Sequence, residues 1–340
     1  MSSEIVKLLK IRAKDKICFI LLEFIRAICY IYYMEIDMKK VTILLSTYNG
    51  EKYLREQLDS LLLQEGVEFN IFVRDDGSKD KTCDILQEYA EKGLLTYIKG
   101  ENVGFSKSFS WLINNAPSAD YYSCCDQDDV WLPTKILDGV TALEKIDQPA
   151  TYFTSLNVVD EKLNLITKDS HSHYNNDSET LFADNILMPQ VNGCTMIFNE
   201  KLRELYSQIP VHNVYAHDYT LITLASAFGK VVFSNDSKIL YRQHANNCYG
   251  FYKGSLRNLV RSVKSFFKHE TKGIKSHEAM NFKYYFFDKL KEGDRLFIDL
   301  ITDYRFNKGK RKQLRKYIKK NIKNSTIRKF SLFLLSWKKL

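Results

Sequence analysis

No glycine-rich phosphate loop opens this sequence: neither GxGxxG nor GxxxxGK[ST] occurs near its first strand-like run. Any phosphate it binds must therefore be neutralised by cations rather than cradled by backbone amides. Its seven cysteines (18, 29, 83, 124, 125, 194 and 248) contain no CxxC pair and no regular spacing. That suits a reducing compartment better than a disulfide framework or a zinc site. Cys124 and Cys125 are adjacent, and neighbouring side chains on a strand point to opposite faces, so both are expected in core packing. No small-residue cleavage site follows the apolar stretch at 17–34, which argues against a secretory signal. Glu23 and Arg26 interrupt that stretch, and central charges weigh against a membrane span. Residues 1–37 are expected to form an extension that is dispensable, lies on a membrane surface, or spans one. Nor is there a recognised nucleic-acid-binding motif.

What is present begins with a divided charge. The net charge is +9, yet residues 253–340 carry 25 Lys+Arg against 7 Asp+Glu, leaving 25 basic and 34 acidic residues before them. An acidic body with a basic tail implies two jobs in two places. At 45% hydrophobic and 13% aromatic, the chain can bury a large core.

From residue 41 strand-like and helix-like patterns alternate. Residues 41–45 are apolar, 46–50 form a turn, and Tyr53, Leu54, Leu58, Leu61 and Leu62 share a helical face. A second strand, 70–73, breaks into Asp75-Asp76-Gly77-Ser78; a third, 94–98, into Gly100-Glu101-Asn102-Val103-Gly104. A fourth, 121–125, ends in Asp126-Gln127-Asp128-Asp129. Such alternation predicts an α/β fold with a doubly wound, mostly parallel sheet, which binds ligands at the carboxyl ends of its strands. Three unpaired carboxylates cannot be buried in a strand, so Asp126, Asp128 and Asp129 must meet water or a cation at its mouth. They form either a metal–diphosphate site or an acidic turn that caps the helix starting near Pro133. If a diphosphate binds, Asp75 or Asp76 is placed to accept hydrogen bonds from base or ribose. Asp218 lies at the start of an apolar helical pattern, where on its own it reads as an N-terminal cap. Arg242 and His244 follow the last strand, 238–241, where they offer positive charge or a metal nitrogen beside a leaving diphosphate.

Taken in order, VTILLSTYNG (41–50), DDGS (75–78), NVG (102–104) and DQDDVWLP (126–133) resemble the inverting family 2 glycosyltransferases. VNGCTM (191–196), HDY (217–219), LASAFGK (224–230) and YRQHANN (241–247) narrow the resemblance to bacterial rhamnosyltransferase-like enzymes of cell-wall and capsular polysaccharides. It implies a GT-A catalytic domain over 38–250, a nucleotide-sugar donor, and a divalent metal, Mg²⁺ or Mn²⁺. Ser46, Tyr48 and Asp76 match base-binding positions, within a donor surface that takes in Thr47, Asn49, Asp75, Asn102, Gly104, Asp126, Gln127 and Arg242. Asp128 is the implied metal ligand, with Asp129 next because the register of the DD pair is open; His244 is a third candidate from its place after the last strand. Asp218 is the implied base, in a His217-Asp218 pair where the family usually has Glu-Asp. Rhamnose is the implied sugar, with UDP-hexoses as the alternative donors.

Residues 251–340 are expected to be a basic helical tail. Leu256, Leu259, Val260, Val263 and Phe267 share one helical face and Arg257, Arg261, Lys264 and Lys268 another, the pattern of a helix on anionic lipid. The bland alternative is helices packed on the catalytic domain with a solvated basic side. Together these readings predict a cytoplasmic enzyme, peripheral at the inner face of the cell membrane, acting on a polyprenyl-linked saccharide. The rival from another class is a nucleic-acid-binding protein that uses the tail; the acidic body argues against it.

Overall fold

The computed structural model describes residues 38–168, 181–244 and 274–336. The N-terminal apolar stretch at 17–34 and the amphipathic stretch at 256–268 lie outside the described residues.

The elements in chain order alternate as the apolar pattern dictates. β1 (Lys40–Thr47), α1 (Leu54–Leu62), β2 (Glu68–Asp75), α2 (Thr82–Glu91), β3 (Thr96–Lys99), α3 (Phe105–Asn115) and β4 (Tyr121–Cys125) form the first half. Then come β5 (Val130–Trp131), α4 (Lys135–Leu143), β6 (Ala150–Thr154), β7 (Asn157–Val159), β8 (Leu165–Lys168) and α5 (Leu181–Leu187). β9 (Ile197–Asn199), α6 (Glu200–Tyr206), α7 (His217–Phe228), β10 (Lys230–Ser234) and β11 (Ile239–Arg242) complete the sheets. A seven-stranded sheet runs β10-β6-β9-β4-β1-β2-β3. All neighbours in it are parallel except β9, which lies antiparallel to both β4 and β6. A second sheet of four, β5-β11-β7-β8, stands apart.

Residues 41–45 of β1 are all buried, as expected of a parallel strand with helices on both faces. Ile43 and Leu45 face a core with α1 and α2, through Leu54, Leu58 and Leu86. Leu44 faces the other core, with Phe109 and Leu112 of α3 and Leu221 and Leu224 of α7. The cysteine pair of β4 obeys the same alternation: Cys124 joins the second core and Cys125 the first. The four cysteines at 83, 124, 125 and 194 are free thiols.

After the sheets come α8 (Ile274–Asn281), which runs on through a wider π-helical turn at Phe282–Phe286, then α9 (Glu292–Asp303), α10 (Lys308–Asn321) and α11 (Ser325–Ser336). They share the core of α3 and α7. Phe282 meets Phe182 edge-on at 4.9 Å, and Phe286 lies 5.5 Å from Phe228. Leu314, Ile318, Ile322, Ile327 and Leu334 are buried in that same cluster. Their apolar faces are thus turned to protein, and the exposed side of α10 is basic.

Glu278 of α8 is wholly buried, and its Oε2 accepts a hydrogen bond from Thr220 Oγ1 of α7 at 3.2 Å. Burial pushes its carboxyl up to about 7, against the pull of hydrogen bonds from Thr220, Asn281 and Thr223. The folded chain therefore holds this proton over a range where the unfolded chain has released it. Its contribution to stability is full below the ordinary glutamate range and is lost as pH rises through about 7. Glu278→Gln keeps the shape of the protonated acid. It is expected to raise Tm at pH 8 by the equivalent of about 3 kcal/mol, with little change at pH 5. Superimposable Tm–pH curves for the two proteins would refute this.

Candidate functional site

β4, β1 and β2 are adjacent and parallel, so their three polar carboxyl ends open at one edge. At the end of β1, Ser46 Oγ lies 2.6 Å from Ser108 Oγ, and Thr47 Oγ1 donates to Asp75 at 3.0 Å. Asn49 has φ +49°, a left-handed conformation that asparagine tolerates. It joins the next turn: its N–H donates to Ser78 Oγ (2.9 Å) and its Oδ1 accepts from the Lys79 N–H (2.9 Å). The Gln127 amide pairs with the Tyr48 main chain, accepting at 2.8 Å and donating at 3.1 Å. A Cβ on Gly50 would fall 2.3 Å from Gln127 Oε1, so this pairing depends on glycine there. The Tyr48 ring stands exposed at the lip.

Asp75 and Asp76 are both buried. Asp75 accepts from Thr47, from the Gly77 and Ser78 amides (3.2 and 2.9 Å) and from the Ser78 hydroxyl. Asp76 accepts from Arg74 and from the Val103 and Gly104 amides at 3.0 and 2.8 Å. These carboxylates shape the DDGS turn and clamp the 101–104 loop to it, with Gly104 at φ +86° and Asn102 exposed. The expected contact with base or ribose thus meets carboxylates already carrying internal bonds.

The Asp-rich loop divides its residues by depth. Asp126 is partly exposed and Asp129 fully buried. Asp128 Oδ2 lies 2.7 Å from His244 Nε2. Asp129 Oδ1 accepts the Arg242 N–H at 3.1 Å, while Oδ2 is buried with no hydrogen-bond partner. Cys194, quoted in VNGCTM but given no role, comes to the same place: its sulfur and the Asp126 and Asp129 carboxylates lie within 4.8 Å of one another. Burial, then the charges of Asp128 and Asp218, push Asp126 up to about 7. Asp129 and the Cys194 thiol are also raised, again chiefly by burial. Beneath the site Lys135 is buried, with Nζ 3.1 Å from Ser123 Oγ and 3.6 Å from the Trp131 ring centroid; burial pulls it down to about 8. Concentrated, poorly solvated negative charge, an orphan carboxylate oxygen and a carboxylate–imidazole contact suit a divalent cation that takes oxygen and nitrogen ligands. The Arg242 guanidinium is turned inward and buried.

Asp218 is the second residue of α7 and not its cap, a position that Ala216 holds. Its carboxylate accepts its neighbour's Tyr219 N–H at 2.9 Å and stays partly exposed, near enough to Asp126 to raise it. His217 is buried against the Phe109 ring (centroids 4.2 Å apart), with both ring nitrogens lacking hydrogen-bond partners. A Cβ on Gly193 would lie 2.5 Å from His217 Nε2, so the NGC loop abuts the His-Asp pair.

Residues 42–206 match the Glycosyl transferase family 2 model, and this part of the chain is a family 2 glycosyltransferase domain of the GT-A type. The chain is 29% identical over 206 residues to an uncharacterized glycosyltransferase of Rickettsia typhi, an alignment covering 60% of this chain and 64% of that protein. It therefore spans a little under two thirds of that relative's length. It is also 29% identical over 223 residues to the dTDP-rhamnosyl transferase RfbG of Shigella flexneri, covering 61% and 73%. Its fold is similar to that of S. aureus TarS 1–349 (TM-score 0.53, 18% identity, 82% and 78% covered). TarS in complex with UDP-GlcNAc gives the same TM-score at 15% identity, with 88% and 92% covered.

Proposed function

We propose that this chain is an inverting glycosyltransferase that moves a sugar from a nucleotide-sugar donor to a saccharide acceptor. The observation that carries the reading is the meeting, at one sheet edge, of the Tyr48–Gln127 lip, the Asp126–Asp128–His244 cluster and Asp218. Asp128 and His244 would hold a divalent metal, Mg²⁺ or Mn²⁺, with Asp126 and Asp129 behind them. When bound, the metal supplies Lewis-acid stabilisation of the departing diphosphate. Asp218 takes the proton of the acceptor hydroxyl as its oxygen bonds to the anomeric carbon and the bond to the diphosphate oxygen breaks. One positioned base contributes ~10²–10⁴-fold to such a step. Exposed Tyr48, Asn49 and Asn102, with half-buried Gly104 beside them, form the rim against which the nucleoside lies.

Rhamnose from dTDP-rhamnose is the first donor proposed, supported by the similarity to RfbG. A UDP-hexose is the second, supported by the fold shared with TarS, which was solved with UDP-GlcNAc. The test is a panel of dTDP- and UDP-sugars scored by the rise in Tm with Mn²⁺ or Mg²⁺ present. One sugar nucleotide is expected to protect, and to do so only with metal. No protection by any of them would overturn the assignment.

The acceptor we propose is a polyprenyl-linked saccharide at the cytoplasmic membrane face. α10 turns Leu314 and Ile318 inward and exposes Lys308, Lys312, Arg315, Lys316, Lys319 and Lys320. Among the described residues no helix is long and apolar enough to cross a membrane, so attachment here would be electrostatic. Each cation near anionic lipid contributes ~1 kcal/mol. Changing Lys312, Arg315, Lys316 and Lys319 to Glu is expected to abolish sedimentation with anionic vesicles while donor protection persists. Undiminished sedimentation would remove α10 from the reading, and charge-dependent binding to RNA alone would favour the nucleic-acid alternative.

A further inference from the structure

We infer that Arg242 is a positioning residue: it fixes the loop that carries the metal ligands, rather than meeting the donor diphosphate itself. The inference rests on the metal site proposed above and concerns how that site is held.

Arg242 ends β11, the strand that pairs antiparallel with β5, immediately after the Asp-rich loop, and parallel with β7. Its main-chain N–H donates to Asp129 Oδ1 at 3.1 Å and its Nε to the Asp128 carbonyl at 2.8 Å. Nη1 donates to the Glu161 carbonyl at 2.6 Å, and Nη2 to the Glu56 carboxylate of α1. The guanidinium lies over the Tyr53 ring, 4.6 Å from its centroid, and that ring is 5.0 Å from the His244 imidazole. The side chain therefore ties together α1, the turn after β7 and the Asp128 main chain, while the main-chain N–H of the same residue holds Asp129. Two positions later the same segment delivers His244 to Asp128.

A planar fork spreads its donors over three nitrogens and can reach three acceptors that lie apart; a lysine ammonium gathers its donors on one atom and cannot span them. Arg242 holds the Asp128 main-chain carbonyl and His244 meets its carboxylate, so the backbone from which that carboxylate projects cannot shift without breaking the Arg242 bond. Groups that orient metal ligands typically change metal affinity by 10–100-fold when altered.

The experiment measures free Mn²⁺ by its paramagnetic resonance signal, with and without UDP or dTDP, for the wild type, Arg242→Lys, Glu56→Gln and Asp128→Asn. Arg242→Lys is expected to weaken Mn²⁺ binding by about 10–100-fold. At saturating Mn²⁺ its affinity for the nucleoside diphosphate should return to within a few fold of wild type. Glu56→Gln, altered on the half-exposed partner, should shift Mn²⁺ binding the same way but less. A loss of nucleotide affinity that persists at saturating Mn²⁺ would place Arg242 on the diphosphate and overturn the inference, as would unchanged Mn²⁺ binding by Arg242→Lys. If that variant does not fold, Glu56→Gln decides, and wild-type Mn²⁺ affinity in it counts against the inference. Wild-type Mn²⁺ binding that Asp128→Asn leaves untouched would instead sink the metal reading itself.

Discussion

Asp128→Asn is expected to abolish metal-dependent donor binding while leaving the fold intact. The substitution keeps a group that can still hydrogen-bond His244, whose Nε2 lies 2.7 Å away, but removes the charge a hard cation needs. If the metal supplies several kcal/mol at the leaving group, turnover should fall by on the order of 10³-fold. The unloaded variant should be no less stable than the wild type, because Asp128 is one of the charges that raise its neighbours Asp126 and Asp129. The same cluster gives the wild type a pH dependence. Cations bind the deprotonated site, and Asp126 holds its proton up to about 7, so metal affinity should decline as pH falls below that value. Full turnover of the wild type in EDTA would defeat both expectations.

Asp218→Asn is expected to separate binding from chemistry. The carboxylate sits in the first turn of α7 and is partly exposed. Asparagine can replace it sterically but cannot take a proton. The rate of transfer should drop by about 10²–10⁴-fold, with metal-dependent protection by the donor unchanged. An equal loss of donor binding would instead assign Asp218 to holding the Asp126 side of the site. Water in place of the acceptor makes a useful control: donor hydrolysis needs a base too and should fall in parallel.

The parts of this architecture that could be read from sequence are those that local periodicity controls. β1, β2 and β4 are runs of apolar residues, each ending abruptly in polar ones, and the three ends do share an edge. The division of Cys124 from Cys125 follows from strand alternation alone. The inserted β9 was less legible, because three residues, Ile197–Asn199, carry no period, and their direction is set by neighbours β4 and β6. The second sheet was hidden for the same reason: β5 is the pair Val130–Trp131, recognisable only once β11 lies against it. Depth within DQDD was likewise beyond local signals, since the partners that separate Asp128 from Asp129 are 113–116 residues away in His244 and Arg242. An inward arginine and an outward one have the same neighbours in sequence. So too with the final helices: an apolar stripe reads alike whether it meets lipid or protein, and for α8 to α11 it meets the core shared with α7.

That shared core also has a consequence for timing during synthesis. The helix bearing Asp218 meets Phe282 and Phe286 through Phe228, and Ile318 and Leu334 join the same cluster, all of them translated after every strand of both sheets. At ~5–20 residues per second, the nearly one hundred residues between the end of β11 and Leu334 take roughly 5–20 s to emerge. Throughout that interval the sheet, α3, α5 and α6 can pack on α7, while its end at Phe228 still lacks Phe282 and Phe286. A ribosome-bound chain of this protein should therefore be a client of holding chaperones late in translation. Its final step is the docking of its basic C-terminal helices onto the acidic body through an apolar seam.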